Sequence, residues 1–244
     1  MRIAFVILVT VIISLRGNAQ GYETVNPEKV FTEFSEVAKV YGKADYSLSY
    51  QRTIYKNIGD TEAMLIEKGT IYRGKENEYR VESPGGLTIQ NNELKIVVDS
   101  AFSLISIFKT DTLFQTIDVR QFMDKSITDK YTFQRLQNKD VIRYLMTPKS
   151  SLEGATELWI NAKDYTLIRL EMLMPKSNYF SDRMDDQSME SPKLIITYNK
   201  PQPLKANKAS FFDFGQIVEN KNNQWTLMPN VKGFTLHDSR VITK

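Results

Sequence analysis

The sequence predicts a mainly β protein of the α+β class, an antiparallel sheet curled into an incomplete barrel with one amphipathic helix across its concave face. Three observations predict it. Val30, Phe31, Phe34, Val37, Ala38 and Tyr41 recur at spacings of three and four, the period of a helix with one apolar face. After Gly42 the period changes to two and stays there through roughly ten short runs. Turn residues separate these runs at hairpin spacing, and no repeat, low-complexity block or change of composition marks a second domain.

Composition narrows the class further. The chain has 244 residues, 41% hydrophobic and 25% charged, which are globular values that exclude bulk disorder and a multi-pass membrane protein. There is no cysteine, which removes disulfides, thiolate metal sites, a cysteine nucleophile and a lipidated amino-terminal cysteine. The one histidine, His237, excludes a multi-histidine metal centre, and no cofactor is expected.

The first element is an address. Arg2 precedes an apolar run over residues 3–15, and Gly17 and Ala19 put small residues at −3 and −1 of a cut after Ala19. The run is too short for an ordinary transmembrane span. Residues 1–19 are therefore expected to be a signal peptide, and residues 20–244 a single exported domain. Removing Arg2 and Arg16 lowers the net charge from +3 to +1, so the pI near 8.8 does not signal nucleic-acid binding.

Asn26-Pro27-Glu28 starts the helix over residues 27–41, with an asparagine cap, proline in the first turn and an acid beside it. Gly42 ends it. Its polar face carries mixed charge, which favours core packing over a membrane-surface helix. Strands follow at Tyr46–Leu48–Tyr50, at 64–66 running through Gly69 to Tyr72, at Tyr79–Val81, at 87–89, at 94–98 and at 104–108. Residues 112–123 favour a short helix. Further strands are expected at 131–136, 141–146, 156–160, 166–174 and 194–198, and weaker ones at 211–214, 225–228 and 234–242.

Catalytic chemistry finds little support. A serine triad would need His237, and no G-x-S-x-G elbow presents a nucleophile. Asp182, Asp185 and Asp186 lack the alternating ligands and glycine of a calcium loop. Pro84-Gly85-Gly86 has no helix start after it to form a phosphate cradle. Arg80-Val81-Glu82 and Arg169-Leu170-Glu171 alternate sign as solvated sheet faces do. What remains is apolar surface: 13 Phe, 12 Tyr and 9 Met, including Tyr179, Phe180, Met184 and Met189 in a polar loop over residues 176–191. Such residues build an ordinary core and an apolar cavity alike.

The order of segments resembles the periplasmic outer-membrane lipoprotein carriers, LolA and its relative LolB. Gly69-Thr70-Ile71-Tyr72 is similar to that family's Gly-x-Leu/Ile-aromatic step. Residues 94–99 leading to 104–108 resemble its strand pair around an apolar tip, and Tyr144-Leu145-Met146-Thr147-Pro148-Lys149 its Leu-x-Pro-Lys-like step. Leu158-Trp159-Ile160 with residues 167–172 matches the following hairpin. Tyr198-Asn199 with Ala209-Ser210-Phe211-Phe212-Asp213-Phe214 looks like the last strand before a Phe-rich segment. The likeness spans about residues 26–218, and an extension follows from about residue 219. The family's Arg-Pro step, whose arginine helps close the lid, is missing near Gly74-Lys75-Glu76.

The resemblance implies a non-enzymatic, periplasmic carrier or chaperone that holds a lipoprotein acyl chain or other apolar ligand in a half-barrel cavity. The partners it implies are an acylated lipoprotein or lipid, together with envelope proteins, and neither nucleic acid nor a membrane span of the mature chain. The alternative is a non-catalytic envelope assembly or structural factor that uses the same fold to bind a protein. Alternation points to Phe31, Phe34, Tyr46, Leu48, Tyr50, Tyr72, Tyr79, Ile96, Val98, Leu158, Ile160 and Met172 as the cavity lining.

Overall fold

The computed structural model describes residues 21–42, 45–75, 77–110, 129–150, 154–174, 192–204, 211–222 and 224–240. The leader, the short helix at 112–123, the loop at 176–191 and Ala209-Ser210 lie outside the described residues. No helix among the described residues is long and apolar enough to cross a membrane.

The helix α1, Pro27–Tyr41, starts where its capping residues place it: the Asn26 side chain accepts a hydrogen bond from the Lys29 amide at 3.0 Å. Gly42 ends it by another route than a left-handed turn. Its φ is −76°, still helical, and its amide donates to the Ala38 carbonyl at 2.7 Å. Around α1 the chain forms β1 (Glu23–Thr24), β2 (Tyr46–Tyr55), β3 (Leu65–Arg73), β4 (Tyr79–Ser83), β5 (Gly86–Gln90), β6 (Lys95–Asp99) and β7 (Leu104–Phe108). Then come β8 (Tyr131–Gln137), β9 (Val141–Pro148), β10 (Thr156–Asn161), β11 (Leu167–Leu173), β12 (Lys193–Tyr198) and β13 (Gln202–Pro203). The described chain finishes with β14 (Val218–Lys221), β15 (Gln224–Leu227) and β16 (Thr235–Asp238).

All but β14 and β15 join one large sheet in the order β1-β8-β9-β10-β11-β12-β2-β3-β4-β5-β6-β7-β16, with β13 added against β2. It curls without closing into a barrel. Pairing is antiparallel throughout except at the end, where β16 runs parallel to β7. Residues 211–214, expected as a strand, are not one. Phe212 and Phe214 are both buried, and Phe211 stands edge-on to Tyr72 with ring centroids 4.5 Å apart. A bulky segment fixed by such side contacts leaves the ladder. Of the strand expected over 234–242, β16 takes Thr235–Asp238; the Asp238 carboxylate then accepts from the Arg240 amide at 3.1 Å in a turn, and residues 241–242 lie outside the described residues.

Pairs in register share a face of the sheet, and this divides the interior in two. Leu48, Ile71 and Val81 lie side by side and pack with Val30, Phe34, Val37 and Tyr41 of α1. One residue out of phase, Arg80, Ile89, Ile96 and Ile107 also lie side by side, on the other face. The last three are covered by Phe214, Ile217 and Val218 from the carboxyl-terminal segment. The sheet therefore buries one face under α1 and the opposite face at the β5–β7 end.

The helix is fastened by a buried polar cluster. Arg135 on β8 donates from Nε and Nη2 to the two Glu33 carboxylate oxygens, at 3.2 and 2.8 Å. The fully buried Tyr144 hydroxyl donates to Glu33 at 2.8 Å, and its ring meets Phe34 edge-on at 5.1 Å. Burial opposes the Arg135 charge, but the Glu33 hydrogen bonds and charge hold it above its ordinary pKa. At the other end of α1, the Tyr41 hydroxyl accepts from the Leu167 amide at 2.9 Å.

Removing Glu33 leaves the Arg135 charge, only 7% exposed, with Gln137 and a more distant Glu23 carboxylate at 3.9 Å. Glu33→Ala is expected to cost about 3–5 kcal/mol in urea unfolding, and Tyr144→Phe about 1–2 kcal/mol. Equal, negligible losses would show that the cluster does not hold the helix.

Alkali gives a second test. Burial pushes the Tyr41 phenol up to about 12 and raises Tyr46, Tyr144 and Tyr198 further. The unfolded chain releases these protons from about pH 10 while the folded chain still holds them, so stability is complete below about pH 10 and is lost as pH rises. The urea midpoint should be level from about pH 8 to 9.5 and fall steeply by pH 12; a flat profile across that range would refute the burial of these phenols.

Candidate functional site

The concave face of the half-barrel is the candidate site. Of the twelve residues that alternation singled out, Phe34, Tyr46, Leu48, Leu158 and Ile160 are buried together under α1, and Tyr50 packs partly buried against them. The tip of Tyr50 approaches Gly69, its partner in register: a Cβ there would come within 2.5 Å of Tyr50 Cζ and its hydroxyl. This close approach is what the glycine in the Gly-x-Ile-aromatic step permits. Phe31 is half-buried on α1. Tyr79 is buried beside Arg73 and Gln90 in register.

The remaining residues separate. Tyr72 is paired with Ser47 and Arg80, so it points to the face away from α1 and meets Phe211. Ile96 and Val98 belong to the second cluster, on that same far face. The structure thus does not bring these three together with Leu48 and Leu158. Met172 faces the α1 side and is half-buried.

Met172 belongs to a lateral row that sequence reasoning missed. Phe133, Met146, Thr156, Met172, Leu194, Ile54 and Leu65 pair in register across seven neighbouring strands. Burial fades along it. Phe133 and Met146 are fully covered, Met172, Leu194 and Ile54 are half-buried, and Leu65 is 39% exposed. The adjoining row runs Tyr144, Leu158, Leu170, Ile196, Arg52 and Glu67. It ends in an ion pair in which Arg52 Nη2 donates to Glu67 Oε2. Alternation within 46–54 and at 194–198 carried the signal for Ile54 and Leu194. Nothing local marked Glu33, Arg135 or Arg52, whose partners come from other elements of the chain.

Behind this wall, at β2, β3 and β12, the opposite face carries a polar patch. A hollow of about 470 Å³ there is lined by Ser49, Gln51, Lys68, Thr70, Thr197 and Asn199. Nearby, Arg143 and Arg169 flank the Trp159 ring at 4.3 and 5.0 Å and pair with Glu157 and Glu171. His237 is exposed on β16, opposite Ser106. Among the described residues no group of three or more His, Cys, Asp or Glu side chains is placed to hold a metal ion.

No family model matches the chain, and no curated protein matches it. Solved structures do. A LolA superfamily protein from Nitrosomonas europaea is 10% identical, with 75% of this chain and 96% of that one covered at a TM-score of 0.35. An outer membrane lipoprotein-sorting protein domain from Vibrio parahaemolyticus is 12% identical, over 78% of this chain and 98% of that one, at 0.36. MucB, solved in complex with MucA(peri), is 10% identical over 77% of this chain and 59% of its own, at 0.36. At these identities and scores the likeness is one of fold alone.

Proposed function

We propose that the protein is a non-enzymatic, exported carrier or chaperone of the periplasm, with residues 20–244 as one domain after leader removal. Its concave face shields an acyl chain of a lipoprotein or another apolar group. The observation that carries this reading is the row from Met172 through Leu194 and Ile54 to Leu65. It continues the apolar wall beyond the residues that α1 covers, and its side chains are left partly open. Each methylene laid on such a wall gains about 0.8 kcal/mol by leaving water. Release to a next partner then needs differential affinity, since a ligand moves only toward the site that holds it more tightly.

A second reading is an envelope assembly factor that binds a protein. It is favoured by the β2–β3 hairpin, where Ile58, Met64 and Ile66 are 46%, 46% and 58% exposed. Mass spectrometry of an organic extract from purified residues 20–244, beside a blank purification, separates the two. A stoichiometric lipid or acylated species is the result expected of a carrier. A clean extract, repeated after incubation with acylated peptide, would turn the assignment to the assembly factor. Met172→Glu with Leu194→Glu should abolish uptake with little change in melting temperature, because both side chains are already partly solvated. Leu48→Glu, by contrast, places a charge at a position of 0% exposure and is expected to unfold the domain.

A further inference from the structure

Arg52 is only partly used by its ion-pair partner, Glu67. It lies on the α1 side of β2 between Tyr50 and Ile54, with Ile196 beside it on β12. An arginine among apolar neighbours gives up hydration and is retained at low cost only when its donors are spent. Arg135 shows what full use looks like: Nε and Nη2 both bond to Glu33, Nη2 also reaches Gln137, and 7% of the side chain is exposed. Arg52 differs on each count. Its Nη2 bonds to Glu67, its Nε is buried without an acceptor among the described residues, and 43% of its side chain stays exposed. Glu67 is 15% exposed. The carboxylate is enclosed, while 43% of the Arg52 side chain stays open to solvent.

What Arg52 borders is the open row. Ile54 is two residues along the same strand face, about 7 Å away, with Leu194 and Leu65 on either side of it and Met172 beyond Leu194. We infer that the concave face takes a single-chain amphiphile with an anionic head, a carboxylate or a phosphate, and that Arg52 receives this head. The inference rests on the apolar-binding reading above and adds the chemistry of the head group to it. The head bonds to the free edge of the guanidinium fork, which matches two oxygens at once. The first methylenes then lie over Ile54 and Leu194, and the tail runs toward Met172. Glu67 holds the fork in place and also competes with the incoming anion.

The test compares dodecanoate, dodecyl phosphate and dodecanol, three ligands with one tail, by calorimetry on residues 20–244. The anionic ligands are expected to bind about tenfold tighter than the alcohol, the effect of one charge-assisted hydrogen-bonded contact. Arg52→Met should erase that preference while the alcohol still binds; its melting temperature is expected to fall, since Glu67, 15% exposed, loses its partner, and Glu67→Gln should widen the preference. Arg52→Lys keeps the charge without the fork and should retain part of the preference, which covers the case of a methionine variant that folds poorly. A preference for only one of the two anions supports the inference and identifies the head. Equal binding of all three by the unmodified chain would overturn the role of Arg52 and leave the apolar reading intact. No binding of any would overturn the apolar reading itself.

Discussion

Side chains on a strand point alternately to two faces, and a cover laid on one face does nothing for the other. This constraint organises the whole molecule. From β8 to β3 the apolar set faces α1; from β5 to β7 it faces the segment that carries Phe214, Ile217 and Val218. The exchange happens across β4, whose Val81 still packs with the α1 set while Arg80, in register with Tyr72 and Ile89, stands on the far face. Phe211 is clamped there, with the Arg80 guanidinium 5.1 Å over its ring and Arg80 Nη1 bonded to its carbonyl. A closed barrel needs a single interior shared by every strand. A sheet that exchanges its covered face across its width has none, which accounts for the open curl.

The same constraint explains what the sequence could reveal. The helix was legible from its period and its Asn26-Pro27 start, and the long hairpins from alternation bounded by turn residues. β1 and β13 were not, because two-residue strands carry no period, and the polar β14 carries none either. Alternation also separates two sets of side chains on each strand without saying which set faces which cover. That is why Ile96 and Val98 were grouped with Leu48, although the structure puts them on the other face. The cluster of Glu33, Arg135 and Tyr144 was beyond local reading, since Glu33 lies more than 100 residues from both of its partners. The parallel pairing of β16 was equally hidden, because nothing in Thr235-Leu236-His237-Asp238 distinguishes a parallel neighbour from an antiparallel one.

On the α1 side, the wall is graded. Near β8 and β9 it is dry and fastened, with Phe133, Met146 and Tyr144 enclosed and a buried ion pair beneath the helix. Toward β12, β2 and β3 only the row beyond the helix opens: Leu194 and Ile54 are half-covered and a partly spent arginine adjoins them, while Leu48 and Ile71 stay buried under α1. Enclosed and open parts of one surface thus meet on the same strands. On this chain α1 is held by the Glu33, Arg135 and Tyr144 cluster and by the bond between Tyr41 and Leu167.

The parallel strand at the end of the sheet has a consequence for how the chain is made. β16 pairs Thr235 with Leu104 and Asp238 with Ile107, so its partner is synthesised more than a hundred residues earlier. The cover for Ile89, Ile96, Ile105 and Ile107 likewise comes from residues beyond 211. A chain emerging from the amino terminus completes β5, β6 and β7 as a meander of local hairpins well before anything can shelter their isoleucines. That half of the molecule passes through a stage of long-range waiting with an apolar sheet face uncovered, the condition under which nascent chains associate wrongly. The helix-covered half also waits, for β12, but its first hairpin has α1 beside it from the start.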